Sequence, residues 1–132
     1  MESKQVIVMK KFPKDRNMRT GKYIAQGAHA SLGALLSIGR IDHNNQTLVI
    51  PLHNPFVYHW ITGRFVKIAV YVETDEELLA INAAAKEANL PTALITDAGL
   101  TEFNGVPTLT AVGIGPADAG VINKITGHLP LF

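Results

Sequence analysis

Apolar positions along this chain fall into two rhythms. Four short stretches are nearly continuous and rich in β-branched residues: 5–9 (QVIVM), 65–72 (FVKIAVYV), 92–96 (TALIT) and 108–114 (TLTAVGI). Runs of this length read as buried strands. Over 18–36 and 74–88 the apolar residues recur every three or four positions, the period of a helix. Thr74 followed by Glu77 is a capping box, Asp75 and Glu76 suit the first turn, and Pro91 prevents continuation. Pro55 opens a short helix over 56–62 that Gly63 closes. Gly115 and Pro116 are expected to break the fourth strand, with Pro116 starting a last helix over 117–124. Asp42-His43-Asn44-Asn45 signals a turn. Residues 47–52 (TLVIPL) predict an extra strand held at an edge by Pro51, and 127–132 a tail packed as a short edge. The order is β-α-(insert)-β-α-β-β-α. Strands joined through helices pair in parallel with right-handed crossovers. The loop between the last two strands makes one of them antiparallel. A single α/β domain of 132 residues follows, with an insertion at about 40–54.

The helix over 18–36 is unusual in its small residues: Gly21, Ala25, Gly27, Ala28, Ala30, Ser31, Gly33 and Ala34. Each glycine costs about 1 kcal/mol of helix propensity relative to alanine, so close packing or function must offset it. At about 100° per residue, Ile24, Ala28, Ser31 and Leu35 share a face beside Leu32, and this stripe is expected to meet the core. Lys22, Gln26, His29 and Gly33 fall nearly opposite. That second stripe is either a solvated polar face or a polar site at a helix N-terminus, where backbone N–H groups favour anions.

Hydrophobic residues make up 47% and charged residues 17%, enough apolar side chains for a packed core. With no cysteine, disulfides, thiolate nucleophiles and cysteine-bound zinc are excluded. No apolar run approaches the ~18 residues of a membrane span, and 1–11 does not read as a signal peptide; a cytoplasmic protein is expected. The net charge of +1 conceals an imbalance: residues 1–22 carry seven Lys or Arg against two acids. These cations are Lys4, Lys10, Lys11, Lys14, Arg16, Arg19 and Lys22, and clustering beside a helix N-terminus suits phosphate contact.

Ligands of open α/β sheets bind beyond the carboxyl ends of the parallel strands. The first strand ends before the 10–17 loop and Lys22, and the third ends at Asp97. An antiparallel fourth strand would begin at the same edge, with Thr108 and Thr110 on one face by the two-residue period. Lys22, Asp97, Thr101, Thr108 and Thr110 can therefore converge. A carboxylate beside an ammonium stays ionised and can orient water, the ammonium can stabilise an oxyanion, and threonine hydroxyls can hold water or a carbonyl. Alternatively Asp97 only caps the turn before Gly99. His43, His53 and His59 lack metal-ligand spacing. Gly113-Ile114-Gly115 lacks the rest of a dinucleotide fingerprint.

Four stretches carry a resemblance: KQVIVM at 4–9, MRTGKYIAQGAHAS at 18–31, TDAGLTEF at 96–103, and TAVGIGP at 110–116 with KITGHLPL at 124–131. Together they resemble the peptidyl-tRNA hydrolase family of the archaeal and eukaryotic type. The resemblance implies a three-layer α/β/α sandwich with a mixed four-stranded sheet, order 2-1-4-3, strand 4 antiparallel. It implies hydrolysis of the ester between a peptide and the tRNA 3′ end, without metal or organic cofactor. It places the catalytic residues at Lys22, Asp97, Thr101 and Thr110, with Gln26, His29 and Thr108 in support. Lys10, Lys11, Lys14, Arg16 and Arg19 would contact the tRNA backbone. The chain departs from the family at Leu100, where a basic residue is frequent, and in a longer loop before the last strand. A non-catalytic RNA- or protein-binding module and a small-molecule hydrolase are the alternatives. The apolar 47–52 stretch and Trp60 are expected to form a surface patch, and hence a homodimer.

Overall fold

The computed structural model describes residues 1–99 and 103–132. Along the chain come β1 (Ser3–Lys10), α1 (Thr20–Leu36), β2 (Arg40–Asp42), β3 (Thr47–Val49), α2 (Pro55–Thr62) and β4 (Lys67–Val72). They are followed by α3 (Asp75–Glu87), β5 (Thr92–Asp97), β6 (Thr108–Asp118) and α4 (Ala119–Thr126). A single 3-10 turn, Lys14–Arg16, interrupts the loop between β1 and α1.

Four strands form one mixed sheet in the order β4-β1-β6-β5. β4 runs parallel to β1, while β6 is antiparallel to both β1 and β5. The carboxyl ends of β1, β4 and β5 thus share one edge with the start of β6. The expected order 2-1-4-3 numbers four strands. The chain has six, because 40–49 forms a separate hairpin, and in the six-strand numbering the order is the one just given. That hairpin replaces the extra strand expected over 47–52. Asp42 accepts hydrogen bonds from the Asn44 and Asn45 backbone N–H groups and tightens its turn, and Arg40 to Asp42 pair with Val49 to Thr47.

The period of two along the strands divides the core. Val6, Val8, Val70, Val72, Val112 and Ile114 pack against Leu78, Ile81 and Ala85 of α3 and Ile122 of α4. At about 1.5–3 kcal/mol for each fully buried aliphatic side chain, this face supplies most of the apolar stabilisation. On the other face Ile7, Met9, Ala111 and Ile95 gather with Ala30 of α1, flanked by Tyr23 and Tyr71. Thr74 caps α3 as its spacing predicts, accepting the Glu77 N–H at 3.1 Å. The tail pairs antiparallel with β4 at Val70 and Leu131, with Tyr71 N donating to Pro130 O and Phe132 N to Ala69 O.

Two further expectations are corrected. The stripe of α1 that meets the sheet is Gln26, Gly27, Ala30 and Ala34, while Ile24 and Leu32 are exposed. The cause is close backbone approach. Opposite Ala30 the sheet presents Gly113, where a Cβ would lie 2.0 Å from the Ala30 carbonyl oxygen. A helix can lie this low only on its small-residue face. The last strand does not end at Gly115. β6 runs on to Asp118, its register with β1 shifting opposite Gln5. The buried Gln5 amide donates to Ser31 O and Gly115 O across that irregularity. Asp118, rather than Pro116, then opens the last helix, accepting the Gly120 N–H.

Candidate active site

Lys22 and Asp97 meet at the sheet edge. α1 begins at Thr20, so Lys22 sits in its first turn, on the small-residue side that faces the sheet. β5 ends at Asp97, whose side chain points to the same face as Ile95, two residues earlier. The Lys22 ammonium lies 2.8 Å from Asp97 Oδ1, with both side chains largely buried. One turn along α1, Gln26 Nε2 donates to the same oxygen at 3.2 Å. Gln26 Oε1 accepts from the Thr110 hydroxyl at 2.6 Å. Asp97 Oδ2 accepts the Gly99 backbone N–H at 2.8 Å. The carboxylate is therefore both a turn cap and the partner of an ammonium, one role for each oxygen.

Thr110 reaches Gln26 because β6 bulges. Ile95 pairs with Ala111 and Thr96 with Leu109, so Thr110 has no partner on β5. Leu109 packs on the α3 side and Ala111 on the α1 side. The extra residue between them turns toward α1, a common use of a bulge. Thr110 is completely buried, and its hydroxyl acts on the carboxylate through Gln26. Thr108 sits opposite Asp97 in the register, with its hydroxyl donating to Val106 O. Thr101 lies outside the described residues. His29 is exposed on α1.

Charge and hydrogen bonding act together on Asp97. The Lys22 ammonium holds its carboxyl below the usual carboxylate range, partial burial opposes this, and the Gly99 N–H and Gln26 amide add to the lowering. A carboxylate so held remains ionised at neutral pH and is a poor proton acceptor. The arrangement can orient a water molecule and present a cation to developing negative charge.

Around this pair the cations differ in their engagement. Lys10 Nζ is 2.6 Å from Asp75 Oδ1 at the start of α3 and lies over the Phe12 ring. Lys11 Nζ lies 4.6 Å from the Tyr71 ring centroid. Lys14 and Arg16 are exposed on the 3-10 turn, and Arg19 is exposed at the entry to α1. The importance of Gln26 was readable as its four-residue spacing from Lys22. Tyr23, which pins the 10–17 loop by accepting the Phe12 N–H and donating to Asn17 Oδ1, carried no such signal, because its partners depend on the path of the loop.

Comparison with known proteins bears on the same features. The family described as Peptidyl-tRNA hydrolase PTH2 matches residues 3–132. A peptidyl-tRNA hydrolase of Sulfurisphaera tokodaii is 38% identical over 132 residues, the whole of both chains. One from Methanopyrus kandleri is 38% identical over 129 residues, 98% of this chain and 97% of its own. One from Methanocaldococcus jannaschii is 38% identical over 130 residues, 98% and 99% of the two chains. With matches that run through both the Lys22 helix and the Asp97 turn, the chain belongs to the PTH2 family of peptidyl-tRNA hydrolases.

Proposed function

We propose that the Lys22–Asp97 pair, braced by Gln26 and Thr110, is where the ester linking a peptide to the tRNA 3′ end is hydrolysed. The observation that carries this is the convergence of Lys22 and Gln26 of α1 on the Asp97 carboxylate of β5, with Thr110 of β6 holding Gln26. Water held at Asp97 adds to the ester carbonyl, and the Lys22 ammonium stabilises the resulting oxyanion. The tetrahedral intermediate collapses, the C–O bond to the ribose breaks, one proton of the water ends on the departing ribose oxygen, and the other is released to solvent. The products are free tRNA and a peptide carboxylate. Gln26 and Thr110 position the carboxylate, Thr108 lies opposite Asp97 on β6, and Thr101 is assigned to the ester carbonyl on the family resemblance alone. Lys11, Lys14, Arg16 and Arg19 lie at the same edge and supply phosphate contacts; His29 stands farther along α1 as a peripheral contact. Our reading assigns such an enzyme to the cytoplasm, where tRNA is charged and used. No helix among the described residues is long and apolar enough to cross a membrane.

The test is release of tRNA from an N-acetyl-aminoacyl-tRNA. Lys22→Ala and Asp97→Asn each lower kcat by about 100-fold or more, the usual scale for loss of a group that acts on the developing charge, with far-UV circular dichroism unchanged. Either variant retaining wild-type kcat/KM would overturn the assignment. Binding of tRNA without turnover by the wild type would point to a binding module instead.

Of the expected patch, Leu48 and Leu52 are exposed but Trp60 is not, and we assign the homodimer contact to another surface. Trp60 is buried, its indole N–H donating to Val66 O and its ring 4.2 Å from that of Phe65, so it cannot serve as a contact. On α1, Ile24 is 68% exposed and Leu32 57% exposed. Both line an apolar groove of about 530 Å³ that they share with Ile7, Met9 and Ala69 of the sheet. A second copy related by a two-fold axis would lay its own α1 along this strip, an isologous contact that closes on itself.

A further inference from the structure

Of the nine aromatic residues in the chain, three gather at the sheet edge that bears the Lys22–Asp97 pair. Phe12 comes from the loop after β1, Tyr23 follows Lys22 on α1, and Phe103 lies in the loop after β5. The Phe12 and Phe103 rings are 5.2 Å apart between centroids and 30° from parallel, close to a stacked arrangement. Phe12 lies 6.5 Å from Tyr23, and the Tyr23 hydroxyl fixes its backbone. The loop that carries Phe103 is closed by Gly105 N donating to Gly99 O at 2.7 Å, directly beside the cap on Asp97. Two loops that flank the charge pair thus meet through half-buried rings. Lys10 sets a cation 4.9 Å from the Phe12 centroid. Tyr23 also packs on Phe132 at 4.9 Å, which continues to Tyr71 on β4, while Trp60 and Phe65 pack together near the start of β1.

We propose that Phe12 and Phe103 form a stacking platform for the unpaired purine at the 3′ end of the tRNA, so that the enzyme recognises the terminal base as well as the ester. This rests on the reading of Lys22–Asp97 as the hydrolytic pair. The base and the esterified hydroxyl belong to one ribose, so a group that grips the base sets the position of the ester carbonyl. Aromatic faces suit this role, because a base stacked on them is held by its π surface. The exposed cations Lys14 and Arg16 carry no means of distinguishing the terminal base, since phosphate contacts are alike along the strand.

Two esters test it: an N-acetyl-aminoacyl ester of the trinucleotide CCA, and the same ester with the terminal base replaced by hydrogen. The ratio of their kcat/KM values is the readout, since partial misfolding cancels in it. In the wild type the base raises kcat/KM by about 10-fold or more. Phe12→Leu and Phe103→Leu bring the ratio near one, Phe12→Trp restores it, and Lys22→Ala lowers both rates while leaving the ratio as in the wild type. A wild-type ratio near one, or a ratio unmoved by both leucine variants, overturns the platform. A wild type that cleaves neither these esters nor N-acetyl-aminoacyl-tRNA overturns the hydrolytic reading itself, a separate failure.

Discussion

At Asp97 two demands on one side chain coincide. Oδ2 closes a turn on the Gly99 N–H, while Oδ1 receives Lys22 and Gln26. Gly99 has φ +81°, and a Cβ there would lie 2.2 Å from Val106 O, so the turn that aims the carboxylate needs glycine. The pH dependence follows from the direction of the Asp97 shift. A carboxyl held below its ordinary value in the folded state contributes stability above its unfolded pKa, about 4, and loses it as pH falls through the lower folded value. The difference in Tm between the wild type and Asp97→Asn is therefore greatest near neutrality and shrinks below pH ~4. Asp42, lowered by its own turn, is common to both proteins and cancels. The same depression means that this carboxyl sets no inflection in kcat/KM between about pH 5 and 7. An inflection there that disappears in Asp97→Asn would make the residue a proton-transferring base instead.

At the scale of elements, α1 decides whether the site assembles. Its first turns carry Lys22 and Gln26, and its depth over the sheet is set by Gly27 over Met9 and Ile7 of β1 and by Ala30 and Ala34 against Gly113 of β6. Gly33 also lies close, where a Cβ would approach that of Ala93 to 3.0 Å. Gly113→Ala should lower stability by about 3 kcal/mol or more, the upper range of overpacking, because the obstructing atom is backbone. Denaturant unfolding measures this, and a loss below about 1 kcal/mol, the lower end of that range, would show that the helix lifts without penalty. Helical periodicity located α1 but chose the wrong face. Both long faces of this helix are apolar or small, and hydrophobicity ranks Ile24 and Leu32 above Gly27 and Ala30. The sheet opposite was chosen for clearance rather than for hydrophobic area. The extension of β6 past Gly115–Pro116 escaped for a related reason. Gly-Pro ordinarily stops a strand, and only the shifted pairing with β1 keeps this one in the sheet.

For the whole molecule, the sheet has helices α3 and α4 over one face, while on the other α1 lies over β1, β5 and β6. That leaves the groove beside Ile24 and Leu32. If a second copy covers it, analytical ultracentrifugation finds a dimer in the wild type. Ile24→Glu with Leu32→Glu then gives a folded monomer, because both side chains are exposed in this protomer. A wild-type monomer at tens of micromolar would remove the proposal. The basic stretch before residue 22 gives the molecule an electrostatic orientation, since Lys14, Arg16 and Arg19 surround the same edge as Lys22.

Local chemistry determined the elements and the site's ingredients. Short β-branched runs, a capping box at Thr74, the turn at Asp97 and the cationic start of the chain are properties of neighbouring residues and were readable from them. So was the pairing of Lys22 with Asp97, because parallel strands linked through helices bring their carboxyl ends to one edge. What tertiary structure alone decided depends on residues far apart in sequence. The low seat of α1 needs Gly113, more than eighty positions beyond its partner Ala30. The bulge that turns Thr110 onto Gln26 exists only in the pairing of β6 with β5. The meeting of Phe12 with Phe103 requires two loops to close over the same edge. Periodicity reports which residues share a side of one element; contact between elements is set by clearance and register, and these are properties of pairs.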